Sequence, residues 1–358
     1  MISFSYKWIG SFATIALLFA TVAIHAQQEN LQVGSIVSLP GRTVTGFLDV
    51  PAGVDEGTRI PVAIIQGTKP GPVLALVAGS HGTEYASIIA LEKLIEELDP
   101  AKVAGTVIIL PLVNIASFEQ KVPHVNPVDH KSMNRFYPGK PDGTQTERAS
   151  WLITREVVDK CDYLIDYHGG DLDENLRPYE YWSPTGQARQ DELSRQMALA
   201  FGVDHIVIER DYPKDIAASR YLGSTSGLRG KPTLVVEAGY AGTAEAGDVN
   251  LLVEGTLNVM RLIRMLPGSA PVTEHPVWIE RIAPMTSEKA GIFYPTVQRG
   301  SFAEAGMKIG YVTDYFGKTI YEAHAPEAGV VLYICSVPSM KQGDTIAYIG
   351  VPAKAQDQ

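Results

Sequence analysis

Residues 106–113 read Thr-Val-Ile-Ile-Leu-Pro-Leu-Val, an almost unbroken apolar run. A strand of that kind needs both faces covered, which places it inside a sheet flanked by helices on two sides. Shorter apolar runs at 73–78, 163–167, 205–208 and 233–236 repeat the theme. Between them the text turns amphipathic: Ile88, Leu91, Leu94, Ile95 and Leu98 keep the three-and-four spacing of one buried helical face, and helices are predicted near 146–160, 187–201 and 248–265. Residues 33–67 alternate short β-like runs with turn signals, as an antiparallel edge would. The predicted class is therefore α/β, a mixed and mostly parallel sheet between helices.

Ligands in such sheets gather beyond the carboxyl ends of the strands. His81, Asn114, His168 and Glu237 each stand at or just past the end of a predicted strand. His81 and Glu84 lie three apart on a Gly-punctuated turn, Gly79-Ser80-His81-Gly82-Thr83-Glu84, and could grip one divalent ion. Catalytic zinc sites use three protein ligands and keep a fourth position for water, and His168 is the best third candidate. In Asp166-Tyr167-His168 the first and third residues face the same way on a strand, so Asp166 can steady the imidazole. The plainer alternative makes Glu84 a helix N-terminal carboxylate favoured by the dipole, worth about 0.3–1 kcal/mol.

Glu237 follows an apolar strand and precedes glycines, where burial tends to raise a carboxyl pKa toward the range useful for proton transfer. A solvated strand terminus is the competing reading. Asn134 and Arg135 offer an amide and a planar fork suited to a substrate carboxylate, or else an ordinary surface ion pair.

The chain of 358 residues carries a formal charge of −10 and no basic run or stripe, which argues against a nucleic-acid binder. Lys7, the apolar stretch 9–24 and a cut after Ala26 read as an export signal over residues 1–26, with a periplasmic or secreted product and no stable membrane span once it is removed. Cys161 and Cys335 belong to no metal-like cluster; two buried free thiols are expected rather than a disulfide. After the linker-like Pro267-Gly268-Ser269-Ala270-Pro271, Gly and β-branched residues dominate. There residues 306–312 resemble residues 343–349, each preceded by a Gly-hydrophobic opening at Gly291 or Gly329. Two pseudo-symmetric β units in a small flattened barrel follow, giving a larger domain over 27–270 that holds the candidate zinc site and a β-rich domain over 271–358.

Taken together, several segments resemble the succinylglutamate desuccinylase/aspartoacylase family, relatives of the zinc carboxypeptidases. They are Lys69-Pro70-Gly71-Pro72, His81-Gly82-Thr83-Glu84, Gly105-Thr106-Val107, Met133-Asn134-Arg135-Phe136 with Pro138-Gly139, Asp166-Tyr167-His168 and Glu237-Ala238-Gly239. The resemblance runs from about residue 30 to 350. It implies a zinc carboxypeptidase-like sheet with a C-terminal barrel-sandwich domain, and a deacylase that cleaves the amide of a small N-acylated amino acid. Zn2+ would be held by His81, Glu84 and His168, Glu237 would act as base and then acid, and Asn134 with Arg135 would anchor the substrate carboxylate. Thr83 stands where many members carry Asp. No Arg lies in residues 114–132, where members often keep one that polarises the scissile carbonyl; Lys121, His124, His130 and Lys131 are the substitutes within reach in sequence. A zinc carboxypeptidase or cell-wall peptide amidase, and a non-catalytic zinc-binding or assembly module, are the competing functions, and a homo-oligomer is left open.

Overall fold

In a computed structural model, which describes Met1, residues 30–210 and residues 212–354, a single 13-stranded sheet organises the chain. The segment read as an export signal, apart from Met1, lies outside the described residues; among those described, no helix is long and apolar enough to cross a membrane.

One edge is antiparallel, as the turn-rich opening predicts: Arg42–Val50 pairs with Thr58–Gln66, and that strand with Ala104–Leu110. Parallel pairing then carries the sheet through Lys69–Ala78, Tyr163–His168 and Thr233–Glu237. Tyr179–Trp182 enters against the last of these and reverses direction; His205–Ile208 and Val277–Thr286 follow it in parallel. The far edge is antiparallel again, through Thr345–Pro352, Gly329–Cys335 and Phe302–Ala303. The strand expected over 106–113 stops at Leu110, because Pro111 has no N–H to give a neighbour.

Period-two alternation divides the sheet's two faces. Leu74, Leu76, Ile165, Tyr167, Leu234 and Val236 pack beneath helices Tyr85–Glu97, Ala188–Phe201 and Ala246–Leu262. Ala75, Val77, Ile108 and Leu164 turn the other way, toward helix Gln145–Glu156 and Leu222 of the short helix Leu222–Gly227. Asp166, His168, Val235 and Glu237 occupy that second face by the same alternation. Between its two flanking clusters, at the carboxyl ends of the parallel strands, the cleft opens.

Beyond residue 271 the two related segments take opposite sides of a sandwich. Gly291–Pro295 and Lys308–Thr313 pair in a four-stranded antiparallel sheet, while Gly329–Cys335 and Thr345–Pro352 pair in the large one. Phe293, Ile309 and Val312 meet Val331, Leu332, Ile346 and Ile349 in a core of their own. The large sheet nevertheless runs on across residue 270, through Val277–Thr286. Cys161 and Cys335 are buried free thiols, as expected.

Candidate metal and substrate site

The turn that carries His81 and Glu84 is held by its neighbours as well as by the bond from Glu84 N to His81 O at 3.4 Å. Asn114 Nδ2 donates to Ser80 O at 3.1 Å, Gly82 N donates to Ser117 Oγ at 2.9 Å, and the Thr83 hydroxyl donates to Asp171. The loop lies so close to the next element that a Cβ on Gly82 would fall 2.3 Å from Phe118 N, so glycine is required there. Thr83 is fully buried in this arrangement, and its small side chain fits the space.

Glu84 holds the N-cap position of helix Tyr85–Glu97 yet makes no side-chain cap bond. Its carboxylate turns to the two imidazoles instead: Oε1 lies 2.7 Å from His81 Nδ1 and Oε2 lies 3.0 Å from His168 Nδ1. One ligand atom from each of the three residues falls within 4.8 Å of the others, the arrangement a single ion needs. Burial would raise the Glu84 pKa, but the adjacent imidazoles of His81 and His168 overcome it and hold the carboxyl down at about 2. Burial likewise opposes charge on His168, while Glu84 and Asp166 hold its pKa well above the ordinary value. Two imidazoles and a carboxylate, with Glu84 and His168 buried and His81 partly exposed, form a donor set that fits zinc chemistry.

The outer nitrogen of His168 is also engaged. Asn134 Nδ2 lies 3.1 Å from Nε2, and Asp166 Oδ1 lies beside it at 3.5 Å, beyond good hydrogen-bond range. Asp166 is thus where the strand alternation places it, sharing the ring's edge with Asn134. Asn134 is doubly committed, because its Oδ1 accepts from Leu222 N at 3.2 Å. Arg135 lies across the cleft mouth with its guanidinium 4.7 Å from the Tyr221 ring centre, and Nη1 donates to Asn134 O at 2.6 Å.

Glu237 stands directly beside His168 in the parallel register. Burial pushes its pKa well above the ordinary carboxyl value, and Glu84, Glu174 and Asp166 push the same way against the pull of His168. Glu174, from the short strand Glu174–Leu176, is a further cleft carboxyl, raised to about 8 by burial first and then by Glu84. Sequence reasoning passed over it, since a three-residue strand carries no periodic signal.

The cleft has a volume of about 240 Å³. Beyond the residues already described its walls include Tyr179, Tyr181, Glu209, Tyr221 and Tyr348. Tyr179 and Tyr181 reach it by alternation, and Glu180 between them turns to the helix-covered face. There its carboxyl is fully buried, with no hydrogen-bond partner among the described residues, and burial drives its pKa well up. Tyr348 comes from the β-rich region, so that region supplies a wall of the cleft.

Of the substitutes for the missing Arg, His124 lies beside the site, its ring centre 6.2 Å from that of His81. His124 has Asp173 2.8 Å from Nε2 and Asp171 3.3 Å from Nδ1, so both ring nitrogens face carboxylates. Lys131 pairs with Glu147 at 2.8 Å and covers the Phe136 ring, while Lys121 and His130 lie outside the cleft lining.

Comparison with known proteins identifies the family. Residues 70–263 match the model of the succinylglutamate desuccinylase/aspartoacylase catalytic domain. An N-alpha-acetyl-L-2,4-diaminobutyric acid deacetylase from Halomonas elongata is 28% identical over 314 residues, 85% of this chain and 90% of the relative. Among solved structures, a succinylglutamate desuccinylase from Silicibacter sp. TM1040 superposes with a TM-score of 0.78 at 24% identity, covering 87% of this chain and 95% of that one. The product-bound ectoine utilization protein EutE (DoeB) from Ruegeria pomeroyi also gives 0.78, at 25% identity, covering 86% and 95%.

Proposed function

Because the chain belongs to the succinylglutamate desuccinylase/aspartoacylase family, we propose that it is a zinc-dependent deacylase cleaving the amide bond of a small N-acylated amino acid. The single observation that carries this reading is the bridging of His81 and His168 by Glu84, with Glu237 one strand away in register with His168. A cleft of about 240 Å³ suits a small substrate rather than a long peptide. The curated relative's compound, an N-acetylated diamino acid, is the natural first substrate to try.

His81, Glu84 and His168 would hold the metal. A bound zinc ion would polarise the scissile carbonyl and lower the pKa of its water from 15.7 to about 7. Glu237 in its carboxylate form takes the proton of the attacking water on the face of the sheet it shares with His168. Its neutral form, favoured by burial and by the carboxyls of Glu84 and Glu174, then gives that proton to the departing amine. Asn134 orients His168 from the outer nitrogen, with Asp166 beside it, and Arg135 at the mouth takes the substrate carboxylate as a charge-assisted pair. Export belongs to the proposal on the strength of the leader-like sequence alone.

The test is metal analysis of the purified mature protein together with product release from N-acyl amino acids and from muropeptide-like substrates. One zinc per chain and a free amino acid released from the small substrates are expected. Cleavage of the muropeptide-like substrates alone would overturn the substrate class, and a protein that takes up no divalent metal would overturn the mechanism.

A further inference from the structure

The parallel ladder between Lys69–Ala78 and Tyr163–His168 ends with Ala78 beside Tyr167. Past that pair the register no longer fixes one segment against the other, yet the three metal-binding candidates all stand there: His81 and Glu84 on the turn after one strand, His168 at the tip of the other. A zinc site is exacting about spacing, since its nitrogen and oxygen donors must sit about 2.0–2.2 Å from the ion. The candidate ligands themselves make one link between the segments, Glu84 Oε2 to His168 Nδ1 at 3.0 Å. A second runs from the Thr83 hydroxyl to Asp171 Oδ1. Thr83 lies between the two candidates of the turn, and Asp171 follows the third by three residues.

Asp171 does more than receive that hydroxyl. It is fully buried, and both oxygens are engaged: Oδ1 also accepts from Leu172 N at 2.7 Å, and Oδ2 accepts from His124 N at 2.9 Å, with His124 Nδ1 at 3.3 Å. The bond to His124 N ties in the loop that follows helix Ile115–Gln120. Residues 114–122 hold the metal turn from its other side, because Asn114 Nδ2 donates to Ser80 O and Gly82 N donates to Ser117 Oγ, whose own hydrogen goes to Val122 O at 2.7 Å. The His124 ring, edge on to His81, completes the frame. One carboxylate thus joins the turn, the loop and the exit of the His168 strand. A charge so deep is costly unless its lone pairs are filled, and here the donors that fill them belong to the segments that carry and brace the metal turn.

We propose that Asp171 is a positioning residue for the metal, setting the gap between the His81–Glu84 turn and His168 so that their donors converge. It acts through Thr83 and is not itself in the group whose ligand atoms come together. The proposal rests on the zinc reading of the site, and adds what holds the ligands at the spacing an ion needs. Removing the Thr83 donor frees the turn to drift from His168, whereas the sheet beneath, paired up to Ala78 and Tyr167, stays as it is.

The experiment uses the full, zinc-loaded protein. Competition with a chelator of known affinity reads the zinc dissociation constant of the wild type, Thr83→Val, Thr83→Ser and Asp171→Asn, at a temperature where thermal melts show each to be folded. Valine keeps the size of threonine and removes the donor, while serine keeps the donor. Thr83→Val and Asp171→Asn should bind zinc about 10–100-fold more weakly, as loss of a group that orients metal ligands does, and Thr83→Ser should stay within about threefold of the wild type. Asp171→Asn is the variant at risk of not folding, and Thr83→Val carries the test without it. Cobalt in place of zinc gives a second readout, because its visible bands follow ligand geometry; they should shift in Thr83→Val and hold in Thr83→Ser. A lower melting temperature with zinc affinity and cobalt bands unchanged would overturn the proposal, since Asp171 would then serve the fold alone. Equal losses of zinc affinity in Thr83→Val and Thr83→Ser would overturn it as well, because the hydroxyl would not be the link. The expected pattern in a protein that hydrolyses no N-acyl amino acid would uphold the positioning role and remove the deacylase reading. A wild type that takes up no divalent ion would remove both.

Discussion

Where Tyr163–His168 and Thr233–Glu237 run side by side, Asp166 and His168 are buried and Glu237 is half-buried on one face, with the buried Glu84 closing over them. Where Gly329–Cys335 and Thr345–Pro352 run side by side, the inward face carries Val331, Leu332, Ile346, Ala347 and Ile349. Beyond residue 290 no Asp, Glu, Lys, Arg or His is buried among the described residues. Both regions belong to one sheet, yet they spend buried surface differently. Ionisable groups taken out of water cost stability unless they are paired, as Glu84 is with His81 and His168. The β-rich region carries none of that cost, and its hydrophobic burial holds in place the strand that brings Tyr348 to the cleft.

The largest effect should come from the charged region. Glu237→Gln keeps size and hydrogen bonding but cannot accept the proton, so turnover should fall about 10²–10⁴-fold while the zinc content stays at one per chain. Unchanged turnover would exclude Glu237 as the base, and loss of zinc would mean that the carboxyl holds the metal site together. The apolar region should answer in stability. Phe293→Ala in the sandwich core should cost about 3–5 kcal/mol by denaturant unfolding. Zinc affinity of the folded fraction should be unchanged, and a parallel drop in it would show that the two regions are not energetically separable. The smallest effect concerns a charge kept near the surface of the first region. Glu147 accepts from Thr144 N at 3.1 Å and pairs with Lys131 at 2.8 Å. Burial acts to raise its pKa, but Lys131 and the Thr144 N–H outweigh it and depress the carboxyl to about 2. A depressed folded pKa stabilises fully above the ordinary value of 4.5 and is lost as pH falls from there through 2. Glu147→Gln should cost on the order of 1 kcal/mol near pH 7, the size of a helix-cap loss. The gap to the wild type should close between pH 4.5 and pH 2; a constant gap over that window would assign the loss to packing.

Much of this contrast is already visible in the residue text, for a physical reason. Strands covered on both faces have to be apolar throughout, so residues 106–113 and 233–236 announce themselves, and His168 and Glu237 stand out as polar residues where such runs end. The helix boundaries shift by a few residues: the helix predicted over 146–160 ends at Glu156, and a single 3₁₀ turn, Val158–Lys160, completes it. Tyr179–Trp182 escaped detection because its pattern is inverted. Alternation would send Glu180 to water, whereas it is buried without a partner among the described residues, and the two tyrosines line the cleft while packing on the core of the β-rich region. Glu174, Glu209 and Tyr348 were silent as well, since each reaches the cleft only through strand pairings between segments far apart in sequence.

Tyr348 lines a cleft whose candidate metal-binding turn lies at residues 81–84, more than 260 positions earlier. A ribosome that has finished the chain through residue 270 has still to make one wall of that cleft. The cleft is therefore completed late in synthesis, and a message cut short upstream of that tyrosine leaves the wall it supplies unbuilt.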